Sequence, residues 1–162
     1  MYRWIVFLHI AAIFGFLLAH GSSAAVAFAL RRERKPERLR ALLDLSSSTL
    51  SVFYLALLVL LVAGIVAGFM GHWWGRGWIW LSLLVLVAMV AGMWTIGSQH
   101  YHRVRKALGM GYMEGMKFHP HVEPATAEAL DALLARGQPV LLAAIGYGGA
   151  LIVAGLMWFK PF

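Results

Sequence analysis

Four stretches of the chain carry apolar side chains at nearly every position and contain no Lys, Arg, Asp or Glu: about 4–30, 50–70, 78–97 and 139–159. A helix that is apolar all round must be buried on every side, in a protein core or in lipid. A bilayer core of about 30 Å is crossed by roughly 20 such residues. The pattern therefore predicts an all-α integral membrane four-helix bundle, a single transmembrane domain over 1–162. Polar residues fall between the spans, in loops over 31–49 and 98–138. The second of these holds a further helical pattern, Pro124 to Gly137, with acids early, arginine late and glycine just beyond. Ala129, Leu130, Leu133 and Leu134 give it an apolar stripe, so it reads as an amphipathic helix on the bilayer surface or on the bundle.

The distribution of charge sets the orientation. Eleven of the fourteen basic residues lie in the two long loops, six of them in the run Arg31 to Arg40, and all seven acids lie there too. Only Arg3, Arg76 and Lys160 fall at the other side. Basic loops stay on the cytoplasmic side, which predicts N-out/C-out topology in a bacterial cytoplasmic (inner) membrane. Trp4, Trp73, Trp74, Trp78, Trp80 and Trp158 then form a belt at the outer interface, where indoles are favoured; Trp94 alone lies elsewhere. The run ending Ala25-Val26-Ala27 loosely matches a signal-peptide cleavage site. The basic cluster, however, follows the apolar run where a signal peptide has it in front, so the first span is expected to be retained. The tight turn His72 to Gly77 predicts spans two and three as antiparallel neighbours. Gly64 with Gly68, and Gly146 with Ala150, have the spacing that lets membrane helices approach closely.

Composition narrows the function classes. With 61% hydrophobic and 13% charged residues and a mean hydropathy of +0.74, the chain is too apolar for a soluble enzyme of its size. The pI near 10.3 reflects orientation and anionic lipid heads rather than nucleic acid. No cysteine is present, which excludes disulfides, thiolate metal sites and a cysteine nucleophile.

Ionisable groups inside a membrane are costly and therefore candidates for function. Two stand out, His9 and His20, both in the first span. Eleven residues apart, they share a helix face at depths differing by about 16 Å. Imidazole is a good axial ligand for haem iron, and a helical bundle with small residues can hold a porphyrin. By depth, His72 is a partner for His9, and His100 or His102 for His20; a single haem on His9 fits equally well. Either histidine can instead hydrogen-bond a neighbouring helix. A proton relay or an ion-coupled transporter lacks an acid in any span. His100-Tyr101-His102 and His119-Pro120-His121, the latter near Glu123, could hold a divalent metal or be plain loop histidines. Ser46 to Thr49 reads as a cap for the second span.

Leu8-His9-Ile10 early in the first span, Gly15 after it, the basic loop, Gly64 in the second span and Trp78 leading the third resemble the small bacterial membrane proteins related to HemJ-type protoporphyrinogen oxidase and the copper-resistance-D family. The resemblance covers about residues 1–108. It implies haem b on His9, as that histidine is implicated in haem binding in the HemJ-type enzymes. Those enzymes also carry a basic residue in the third span. Trp78 to Gly97 contains none, which speaks against protoporphyrinogen oxidation here. The leading expectation is a haem b protein in electron transfer or haem metabolism, an oxidoreductase if an enzyme. The other is a cofactor-free accessory subunit packed against a larger respiratory or photosynthetic membrane complex, or a homo-oligomer.

Overall fold

The computed structural model describes residues 1–114, 117–120 and 122–162. It is all-α apart from one short hairpin. Helix α1 spans Tyr2–Arg32 and α2 spans Pro36–Met70; α3 spans Gly77–Met93 and runs through a π-helical turn, Trp94–Ser98, into α4, Gln99–Ala107. Strands β1 (Tyr112–Glu114) and β2 (Lys117–His119) pair antiparallel, with Met113 opposite Phe118. Helix α5 (Ala127–Ala135) and helix α6 (Pro139–Phe159) complete the chain. Four helical runs are long and apolar enough to cross a membrane, which supports a multi-pass membrane protein.

The polar segments are more ordered than loops. Only Glu33–Lys35 interrupts helix between Tyr2 and Met70. Proline suits a first helical turn, where its missing N–H is no loss, and Pro36 starts α2 there. The Glu33 carboxylate accepts from the backbone N–H groups of Arg34 and Lys35, which hold its carboxyl below the usual carboxylate range. Ser46 to Thr49 therefore lie inside α2 and cap nothing. Their hydroxyls turn back on the helix, Ser47 Oγ donating to Leu43 O at 3.0 Å and Thr49 Oγ1 to Ser46 O at 2.9 Å. The helix expected from Pro124 begins later, at Ala127, with the Thr126 hydroxyl accepting from Ala129 N at 3.3 Å.

Helix α1 packs along α2 and touches α6, while α3 packs along α6. Among the described residues, α2 and α3 share no packed seam, which corrects the expectation that their tight turn makes them neighbours. The turn holds indoles where the helices would meet. Trp74 lies over Gly68 and 5.3 Å from the Phe69 ring, and Trp73 lies 5.7 Å from Trp78. Lys160 closes the far end of α6 onto this group, its Nζ 4.4 Å above the Trp73 ring.

The best-packed core sits at the polar end, around Leu30, Leu39, Leu43, Tyr101, Val104 and Leu134. Arg105 ties that end together, donating to Asp44 Oδ1 at 3.0 Å, Leu43 O at 3.1 Å and Gly111 O at 3.2 Å. A second cluster inside the bundle comprises Phe16, Ala56, Met89, Met93 and Leu142. Truncating Leu39, which is fully buried, leaves a cavity that its neighbours fill only partly. Leu39→Ala is expected to cost about 2–5 kcal/mol and to lower the unfolding temperature in detergent. Leu55→Ala, on an exposed face, is expected to leave it nearly unchanged.

Candidate membrane-embedded histidine site

The unpacked strip between α2 and α3 is occupied by two cavities, and one histidine of α1 lines each. His9 lines a cavity of about 400 Å³ toward the tryptophan-rich end; its walls include Leu60 and Gly64 of α2, Ser82 and Leu86 of α3, and Ala150 and Ala154 of α6. His20 lines a cavity of about 420 Å³ toward the polar end.

The seat of His9 follows from the absence of a side chain at Gly64. A helical Cβ points back along the helix toward the preceding turn, and a Cβ at Gly64 would lie 2.9 Å from His9 Cε1. Without it, the imidazole reaches the backbone, and His9 Nδ1 lies 2.8 Å from Leu60 O. A carbonyl oxygen only accepts, so Nδ1 carries the proton. In a neutral ring Nε2 is then the lone-pair nitrogen, and it has no hydrogen-bond partner among the described residues.

His20 is seated in the same manner with a different outcome. It is 2% exposed, and a Cβ at Gly146 of α6 would overlap the ring at Nε2. Tyr147 meets the ring edge-on, centroids 4.9 Å apart. Nε2 is buried and has no partner among the described residues, an omission that costs about 1–3 kcal/mol. With the α6 backbone closing on Nε2, the space a metal ion would need at that nitrogen is taken, so His20 as placed does not fit as a haem ligand. His9 does: its second nitrogen is anchored to a backbone carbonyl, the arrangement that fixes the tautomer of a metal-ligating histidine.

The remaining histidines are not brought to these two. His72, in the left-handed region at φ 55° in the turn, does not line the His9 cavity. Neither His100 nor His102 lines the His20 cavity. His100 instead faces Gly137, where a Cβ would lie 3.1 Å from its Nε2, and His102 Nδ1 is buried without a partner among the described residues. His119 stacks on Tyr112 at 5.1 Å; His121 lies outside the described residues. No group of three or more His, Cys, Asp or Glu converges among the described residues, and no acid lines either cavity.

The glycines are the part of the site that sequence reasoning missed. Gly64, Gly68 and Gly146 make room for the rings of His9, Trp74 and His20, beyond any role in bringing helix backbones together. The sequence held no signal for this, because the register that sets Gly64 against His9, and Gly15 against Ala56, exists only once α1 and α2 pack. Comparison with protein-family models, curated proteins and solved structures finds none that matches this chain.

Gly146→Ala is expected to destabilise the protein by about 1–3 kcal/mol through overlap with His20, read as a lower unfolding temperature in detergent. Gly148→Ala, with open space around it, is expected to be neutral or slightly stabilising. Adding His20→Ala to Gly146→Ala is expected to recover stability; absence of recovery would refute this seat.

Proposed function

We propose that this chain is a multi-pass protein of the bacterial cytoplasmic membrane that holds a b-type haem on His9 and serves electron transfer or haem metabolism. The observation that carries the reading is the His9 Nδ1 contact to Leu60 O at 2.8 Å, which leaves Nε2 as the free nitrogen of a ring lining an apolar cavity. An iron-binding imidazole needs one unprotonated nitrogen, and a hydrogen bond from the other to a fixed acceptor orients the ring. Small residues on three helices, Gly64, Ala150, Ala154 and Ser82, keep the cavity walls low enough for a flat ring. A haem supplies one-electron redox chemistry when bound. The protein's part is to orient the imidazole, exclude water with aliphatic walls and hold the group within the membrane.

The orientation completes the reading. With the basic ends of α1, α2 and α4 on the cytoplasmic side, the His9 cavity lies in the outer half of the membrane, beneath Trp73, Trp74 and Trp78.

Protein purified from cells supplied with haem is expected to show a Soret band that His9→Ala abolishes and His20→Ala retains. A preparation without the band, or a band indifferent to His9→Ala, would sink the proposal. Because the chain has no cysteine, single cysteines report topology directly. Lys160→Cys is expected to react with a membrane-impermeant maleimide in intact spheroplasts, and Arg34→Cys only after lysis; the reverse pattern would invert the topology.

A further inference from the structure

The second cavity, lined by His20, has features that the haem reading does not use. Its polar groups gather at one end. Ser23 of α1 and Ser98 of the π-helical turn both line it, and neither hydroxyl has a hydrogen-bond partner among the described residues. Tyr101 ties this end shut, its hydroxyl donating to Ser23 O at 2.8 Å. Away from that end the walls are aliphatic, from Leu57, Leu61, Leu83 and Leu86. Its walls include α2 and α3, which share no packed seam, the side from which a molecule dissolved in lipid would enter. The π-helical turn Trp94–Ser98 forms part of its wall. Such turns are rare, and they recur at functional sites because they displace the helix wall and the residues on it.

We propose that this cavity binds a quinone, a neutral planar ring bearing carbonyl oxygens on an apolar tail. Among the described residues, the lining contains no charged side chain, which disfavours a phosphate or carboxylate headgroup in a membrane interior. The free hydroxyls of Ser23 and Ser98 are donors matched to carbonyl acceptors. Phe53, Tyr54 and Trp94 offer aromatic faces for a flat ring, and the aliphatic walls suit an isoprenoid or alkyl tail that leaves between α2 and α3. Nothing here depends on haem at His9.

Trp94 supplies a built-in probe, because the other six tryptophans do not line this cavity and quinones quench indole fluorescence on contact. The full-length protein in phosphatidylcholine nanodiscs would be titrated with decylubiquinone. Expected is a saturable quenching component that Trp94→Phe removes, that His9→Ala leaves in place, and that the double variant Ser23→Ala/Ser98→Ala weakens by about tenfold in affinity. Undecylbenzene, with a similar tail and no carbonyl, is expected not to compete. Quenching that never saturates, that is equal in wild type and Trp94→Phe, that the serine substitutions leave unchanged while circular dichroism shows intact helix, or that undecylbenzene displaces would overturn the proposal. Should the double variant lose its helical signal, Ala91→Phe, which fills the cavity wall, is expected to abolish the component, and its persistence there would equally overturn the proposal.

Discussion

Hydrocarbon offers no water to a polar group, so every donor inside a membrane must find its acceptor within the protein or go unpaired. In a helix, most carbonyls are already engaged and screened by the side chains of the following turn. A side chain that needs an acceptor from a neighbouring helix therefore requires a gap in that screen. Gly64 is such a gap, and His9 Nδ1 reaches Leu60 O through it. Gly146 opens a second one for His20, but there the imidazole enters and its Nε2 finds no partner among the described residues. The contrast between a satisfied and an unsatisfied imidazole on one helix separates the two cavities chemically. One ring has an anchored nitrogen and a free lone pair, and the other has a polar atom still lacking a partner.

These seats also explain why the bundle is open on one side. Helix α1 is held to α2 along its length and to α6 through the His20 seat, while α3 is held by α6. With its contacts committed in this way, and with Trp73 and Trp74 filling the turn, the chain has no packed surface left between α2 and α3. Both cavities lie along that strip. A buried cofactor or a lipid-borne molecule meets apolar walls there, with few and well-separated polar groups, as small-molecule sites in proteins generally provide.

At the polar end, charge does two jobs. The excess of basic residues sets the expected orientation, yet individual arginines are spent on structure: Arg105 binds Asp44 and two backbone carbonyls, Arg34 pairs with Asp131 at 3.0 Å, and Arg40 donates to Leu108 O at 3.2 Å. The largest fully buried side chains also lie at this end, because water there supplies the hydrophobic driving force that lipid does not.

The four long apolar runs made the helices legible in the sequence, since length and absence of charge suffice for a span. Pro36 and the Glu33–Lys35 break were harder to read, because charged residues at 31–49 form helix as readily as loop. The π-helical turn left no sequence signature, and the separation of α2 from α3 depends on how indoles fill a turn, which periodicity cannot register. His9 and His20 were conspicuous as lone polar groups, but their different fates were set by facing glycines on other helices, long-range contacts invisible in a single run of residues. Imidazole nitrogen shifts of His9, recorded by ¹⁵N NMR on the haem-free protein in bilayers, test the seat most directly. A protonated Nδ1 with a pyridine-like Nε2 is expected, and the opposite tautomer, with Nε2 protonated, would contradict it.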